Sequence, residues 1–339
     1  MVWKNIPVVV TGGASFIGSH LVDALVAKGA KVLVVDDLST GRLENIKTHL
    51  AHHTITFLKG DLTVAAVASA AVKNRDYVFH LAAIHGGRGV VDTHQAVFAK
   101  NTLMDTLLIQ EAHKARIKKF IFASSGCIYP NYLQKNPQQK LYLTEEMAGP
   151  PYDPDNMYGW AKLTTEIILR AYARDYKMAS VSCRFFTVYG ERGVENHGVV
   201  ALIAKAFIRQ DPYEVWGDGN QVRNWTYVGD IVSGMIAAAE TVSDGSAVNL
   251  GTMERIKVID AVKQIFAYTN FHPKIHLQPD MPTGPLNRVC DNSRSRRLLG
   301  WQPKVKFKEG LARTINWYFA TKDRKKVAKN LRQWLTERI

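Results

Sequence analysis

Tyr158 and Lys162, in YGWAK, are the first pair able to do chemistry together. On a helix, residues four apart share a face. A lysine ammonium beside a phenol favours the phenolate, which can take a proton from an alcohol near neutral pH. Ser124-Ser125 closes the apolar run 120–123 and offers a hydroxyl at a strand end. Any helix can carry this tyrosine–lysine spacing by chance, so its weight depends on what else the chain holds.

A second set of residues reads as a nucleotide-binding turn. TGGASFIG at 11–18 lies between the β-branched run Val8-Val9-Val10 and a stretch in which Ile17, Leu21, Val22 and Leu25 recur at helical spacing. In that position Gly12, Gly13 and Gly18 let a pyrophosphate meet backbone N–H groups and the helix dipole, with Phe16 and Ile17 opening the helix. Ser15 stands where the GxxGxxG spacing would put glycine. It must adopt the same backbone shape or add a hydroxyl contact. A second strand-like run ends at Asp36-Asp37. Asp36 is expected to accept from ribose hydroxyls and to repel a 2′-phosphate, favouring NAD over NADP. Gly60-Asp61-Leu62 at the next strand end is expected on the adenine side.

Positioning these groups requires alternating strands and helices. Strand-like runs at 54–57, 77–80, 120–123 and 179–183 alternate with helical stretches that include 97–115 and 157–176. This is the rhythm of an α/β protein with a doubly wound parallel (Rossmann) sheet, whose ligands bind beyond the carboxyl ends of the strands. The rhythm breaks after about residue 189. The expected division is a dinucleotide-binding unit of 1–188 with about 226–250, and a smaller interleaved α/β substrate unit of about 189–225 and 251–320. A basic C-terminal helix is expected over 321–339.

The 339 residues are 46% apolar, enough to bury a full core, which excludes disorder as the main state. No run approaches the roughly 18 apolar residues of a membrane span, and MVWKNIPVVVTGG lacks the features of a signal peptide. Cys127, Cys183 and Cys290 show no CxxC spacing, so no metal site or disulfide framework is expected. That fits a cytoplasmic setting. The net charge is +14, but after residue 293 there are 14 Lys and Arg against three acids, a net of +11. The excess belongs to an exposed tail and points to neither nucleic acid nor membrane. Trp216 and Trp225 read as core aromatics, with stacking on a base as the alternative.

Taken together, TGGASFIG, Asp36-Asp37, GDL at 60–62, LAA at 81–83, Asn101, SSGCIYP at 124–130, YGWAK, RFFTVYG at 184–190 and WGDGNQVRNWTYVGD at 216–230 resemble the extended short-chain dehydrogenase/reductases of the nucleotide-sugar epimerase/dehydratase family. The match runs to about residue 320. It implies bound NAD, a nucleoside-diphosphate sugar as substrate and a homodimer. Leu81, Ala82, Ala83, Asn101, Ser124, Tyr158 and Lys162 join Asp61 and Leu62 as cofactor contacts, with Ser125 supporting the tyrosine.

Gly126-Cys127 replaces the Asp-Glu pair of the family's dehydratases, which argues against dehydration. Simple 4-epimerases need no additional acid/base pair there. Two branches use a cysteine here as acid/base. One inverts C3 and C5 of GDP-mannose, with a lysine as the second group. The other makes GDP-fucose, with a histidine. His197 falls at that second position, so the chain combines Asp36 and the pattern of the first branch with the Cys/His pair of the second. The resemblance points to 3,5-epimerisation through a transient 4-ketone, with 4-epimerisation of a UDP-glucose type or a non-catalytic NAD-binding role as alternatives. Gly87, Arg88, Ser125, Cys127, Asn196, Arg223 and Arg288 are the expected substrate contacts, the arginines through guanidinium forks on the diphosphate. Thr187 stands where the family usually carries Asn.

Overall fold

The structure, a computed structural model, describes residues 3–337. Seven parallel strands form the central sheet: β1 (Pro7–Thr11), β2 (Lys31–Asp36), β3 (Ile55–Lys59), β4 (Tyr77–His80), β5 (Lys119–Ser125), β6 (Ser180–Phe185) and β7 (Asp244–Leu250). Their order is β7-β6-β5-β4-β1-β2-β3. The chain thus winds outward in both directions from β1, and the crevice at that reversal is where such sheets bind ligands.

The β-branched run in β1 forms a strand because alternate side chains enter two different cores. Val8 and Val10 pack with Leu21, Leu25, Ile231 and Met235 on one face. Val9 packs with Val78, Phe120, Leu108 and Leu169 on the other. A fully buried valine contributes about 1.5–3 kcal/mol, so a charge at Val9 would oppose both sheet and helix layers. β7 returns to the sheet after some sixty intervening residues and pairs with β6, Val248 opposite Cys183.

A third core lies among the helices Gly198–Phe207, Val258–Thr269, Phe307–Thr321 and Arg324–Thr336, around Tyr213, Trp225, Phe307 and Tyr318. Two small sheets border it. One joins Tyr213–Trp216 to Ile275–Gln278; the other sets Val222–Arg223 between Ile256–Lys257 and Asn287–Arg288. Trp225 is core, stacked on Phe307 at 5.1 Å between ring centroids.

The expected exposed tail is corrected in part. Arg324–Thr336 is a helix capped by Asp323, which accepts from the Lys326 N–H. Its basic residues face outward, but Val327 and Leu331 are buried in the helical core. Their four-residue spacing gives the helix an apolar seam that must be covered. Residues 338 and 339 of the predicted tail lie outside the described residues.

Candidate active site

A cleft of about 400 Å³ runs along the carboxyl edge of the sheet and continues between the sheet and the helical core. Its nucleotide end is walled by Gly12, Ser15, Phe16, Ile17, Gly18, Leu81 and Ala83. Gly12 has φ +68°, and a Cβ there would stand 2.8 Å from the Ala82 nitrogen, so the turn and the β4 end approach as only glycine allows. Gly13 packs on Val34 behind the wall. Ser15 has φ −86° and ψ −178°, an extended shape open to any residue. Its hydroxyl lies 3.5 Å from Asp36 Oδ2, so serine fits the turn and adds a polar group toward Asp36.

Asp36 is buried at the β2 end, accepting from Ala14 N–H at 3.0 Å and Leu38 N–H at 2.9 Å. Burial raises its carboxyl above the ordinary value, opposed by those two N–H bonds. Asp37 and Asp61 accept from the backbone N–H groups of Ser39 and Thr63, and Leu62 is buried in the core behind. These residues flank the nucleotide end from the ends of β2 and β3. Asn101 holds the segment after β4 in place: its amide donates to the Ile84 carbonyl at 2.9 Å and accepts from the Ile84 N–H at 2.7 Å. Ser124 turns inward to donate to Glu166 at 2.5 Å, beside the buried Arg184–Glu166 ion pair.

Tyr158, Lys162, Ser125 and Cys127 meet at the middle of the cleft. Asn156–Tyr176 is one helix, which places Lys162 a turn beyond Tyr158, its Nζ 5.7 Å from the phenol ring and 4.5 Å from the Phe122 ring. Burial raises the Tyr158 phenol, while a hydrogen bond with Ser125 works the other way. Burial lowers Lys162, opposed by the carboxylate of Asp105. That aspartate belongs to a buried chain the sequence reading did not single out: Thr11 Oγ1 lies 2.7 Å from His80 Nδ1, His80 Nε2 lies 2.9 Å from Asp105, and Thr165 donates to Asp105 at 2.7 Å. It ties the nucleotide turn to the tyrosine helix.

Cys127 sits in the turn Gly126–Ile128, its N–H donating to Ser125 Oγ at 3.1 Å. Arg288 donates from Nη1 to Cys127 Sγ at 3.2 Å, from Nη2 to Asp155 at 3.0 Å and from Nε to Gln134 at 2.7 Å. Arg88 reaches the same Asp155 oxygen at 2.8 Å. Burial pushes Asp155 up, but Arg288 and Arg88 outweigh it and hold its carboxyl below the ordinary value. Arg223 lines the cleft nearby, pushed down to about 9 by burial and by Arg288 and Arg88. Arg288 and Arg88 thus share Asp155, and Arg88 is also paired with Asp92; with Arg223 beside them, three guanidiniums face two carboxylates, an excess of positive charge that favours an anion. Asp155 was not anticipated, because its partners lie 67 and 133 residues away in sequence.

Thr187 and Asn196 line the cleft, and Gly87 packs its backbone on the Asn196 carbonyl. His197 opens the helix Gly198–Phe207, and burial pushes its imidazole down to about 4. Its Nε2 lies 3.2 Å from Nδ1 of His85, a second histidine in the cleft that the sequence reading passed over. Lys205, Trp216 and Gln221 complete the far wall. Among the described residues there is no cluster of side chains suited to a metal, and no helix long and apolar enough to cross a membrane.

A parallel doubly wound sheet, a glycine turn facing an aspartate, and a Tyr–Lys pair over the sheet edge define a dinucleotide-dependent enzyme of the dehydrogenase/epimerase type. Residues 8–251 match the NAD dependent epimerase/dehydratase family, and the chain belongs to it. It is 30% identical over 321 residues to GDP-mannose 3,5-epimerase 1 of Oryza sativa subsp. indica, covering 93% of this chain and 82% of that protein. It is 32% identical over 316 residues to an uncharacterized UDP-glucose epimerase of Bacillus subtilis (strain 168), covering 91% and 96%. The crystal structure of UDP-glucose 4-epimerase with UDP-glucose from Thermotoga maritima superposes with a TM-score of 0.83 at 30% identity, covering 93% of this chain and 99% of that one. The cofactor is NAD, and the close-packed Gly12 turn with the buried Asp36 carboxylate fits it.

Proposed function

We propose that the chain is an NAD-dependent 3,5-epimerase of a nucleoside-diphosphate sugar of the GDP-mannose type. The observation that carries this reading is a second set of acid/base groups beside the Tyr158–Lys162 pair: Cys127, its sulfur 3.2 Å from the Arg288 guanidinium, and His197, in the same cleft. A plain 4-epimerase needs only the first pair.

The Gly12 turn and Asp36 would hold NAD, which would supply a reversible hydride acceptor for C4 of the sugar. Tyr158 takes the 4-hydroxyl proton, helped by Ser125 and by the positive charge of Lys162. The resulting 4-ketone makes the C3 and C5 protons removable. Cys127 and His197 then act as base and acid on opposite faces, the carbanion charge being held as an enolate. A thiol and an imidazole can each take and give a proton in such an exchange. Arg223 receives the diphosphate end, with Arg88, itself held by Asp92 and Asp155, beside it. Arg288 spends its donors on Cys127, Asp155 and Gln134, so its part in this scheme is mainly to hold the sulfur.

The same scheme gives the first unit, 1–188 with about 226–250, to NAD and the interleaved remainder to the sugar. Leu103, Trp160 and Ile167 are exposed apolar residues on the helices Ala99–Lys114 and Asn156–Tyr176, which supports a homodimer formed through that face. Three unpaired cysteines fit the cytoplasm.

The names of several relatives favour a second reading, 4-epimerisation of UDP-glucose with Cys127 structural. Incubation with GDP-mannose and with UDP-glucose, followed by thermal shift and NMR of the products, separates the two. The proposal expects stabilisation by GDP-mannose and products inverted at C5, alone or with C3. Conversion of UDP-glucose to its C4 epimer, with no change in GDP-mannose, would overturn it.

A further inference from the structure

The second acid/base group faces an energetic difficulty. His197 is half-buried, and the desolvation of its ring disfavours the imidazolium with no carboxylate to offset it. A neutral imidazole is a poor acid unless another proton arrives as one departs. His85 stands where such a proton could arrive, its Nδ1 3.2 Å from His197 Nε2 and the ring centroids 5.2 Å apart.

Two close backbone approaches fix this geometry. Gly87, two residues after His85, lies against the Asn196 carbonyl, the residue before His197; a Cβ at Gly87 would overlap that oxygen. The two loops are therefore held together by their backbones. On the outer side, Gly89 packs against the Leu335 carbonyl near the end of the C-terminal helix, and Leu335 itself lines the cleft. The same helix buries Val327 and Leu331 in the core shared with the helix that begins just after His197. The basic tail thus acts as a strut behind both histidine-bearing segments. The charged and titratable groups sharing the cleft with them are Arg88, Cys127, Tyr158, Lys162, Lys205, Arg223 and Arg288, of which Arg88 follows His85 on the same loop.

We propose that His85 and His197 work as one proton-sharing pair, with His85 a catalytic partner in the exchange opposite Cys127. In the neutral pair one proton lies in the inner contact between His197 Nε2 and His85 Nδ1, and one outer nitrogen carries the other. A solvent proton bonds to the bare outer nitrogen. The inner proton crosses to the other ring, and the proton on that ring's outer nitrogen bonds to the sugar carbanion. One proton enters, one leaves, and both rings end neutral with their tautomers reversed. The pair thus delivers a proton without a lasting imidazolium in a part-buried site. This extends the 3,5-epimerase reading and depends on it for its catalytic half.

The test has two arms. In ¹⁵N-histidine-labelled wild-type protein, NMR at neutral pH should show coupling between the two inner nitrogens, and His85→Gln should abolish it and change the His197 tautomer balance. In D₂O with GDP-mannose, His85→Gln and His85→Phe should each lower deuterium incorporation at C5 by about 100-fold or more. Hydride removal at C4, read as the transient absorbance of reduced nicotinamide, should stay near wild type. Two decoupled rings in the wild type, or His85→Gln exchanging at the wild-type rate, would overturn the pair. If the wild type exchanges at no carbon, the epimerase reading and the catalytic half of the pair fail together. The NMR arm then still decides whether the protons are shared.

Discussion

Cys127→Ser separates the two functional readings with the least disturbance to the fold. The turn that holds Cys127 depends on backbone groups: its N–H donates to Ser125, and its carbonyl accepts from the Asp155 N–H at 2.8 Å. Neither bond uses the sulfur, and the side chain is only half-buried, so serine keeps the frame and stability should change by less than about 1 kcal/mol. What changes is acidity. The hydroxyl is a far weaker acid than the thiol, and it receives the Arg288 guanidinium in place of sulfur. A positioned acid/base group contributes roughly 10²–10⁴ in rate, which is about 2.7–5.4 kcal/mol at 1.36 kcal/mol per decade. Epimerisation at C5 should fall by that factor. Oxidation at C4 should persist, because Tyr158, Lys162 and Ser125 are untouched, so reduced nicotinamide should accumulate in a single turnover. Quench-flow with NMR of the product, alongside nicotinamide absorbance, measures both. C5 inversion within about threefold of wild type would refute the assignment of Cys127 to the proton transfer.

Two further outcomes follow from the geometry. Asp36→Asn replaces one acceptor oxygen with an NH₂ that opposes a backbone N–H of Ala14 or Leu38. Bonds to a charged acceptor contribute about 1.5–3 kcal/mol, so calorimetry should show NAD binding weakened at least about tenfold, with less discrimination against NADP; an unchanged Kd would argue against Asp36 at the ribose. The pH dependence of stability has a definite sign at His197. Its folded value of about 4 lies below the ordinary 6.5, so the unfolded chain binds more protons between those values. Its contribution is complete above pH 6.5 and is lost as pH falls toward 4, by an upper bound of about 3.4 kcal/mol that solvent at this half-buried ring reduces. Melting temperatures of wild type and His197→Asn should converge on acidification through that window. Parallel curves would contradict the burial of this imidazole.

What could be read in the sequence was what is local. The valines of β1 alternate between two cores, the tyrosine and lysine sit one turn apart, and the glycine turn and Asp36 fall within one strand–helix–strand unit. Those patterns are set by helical and strand periods and survive without tertiary knowledge. Asp155 was not readable, because its significance lies in Arg88 and Arg288, which come from distant loops. His85 looked like one more residue after an apolar strand; only the Gly87–Asn196 approach brings it to His197. The packed face of the tail went unread for a different reason. Its charge dominated the reading, although Val327 and Leu331 already carried the four-residue spacing of a packed face.

In the proposed reaction, protons at C3 or C5 are exchanged beside a transient C4 ketone. The most direct measurement is turnover of GDP-mannose in D₂O, with the recovered sugar and its epimers analysed by NMR. Deuterium at C5, alone or with C3, and none at C4 is the predicted result, since the C4 hydride returns from the cofactor that removed it. Epimerised product with no deuterium at either C3 or C5 would contradict it.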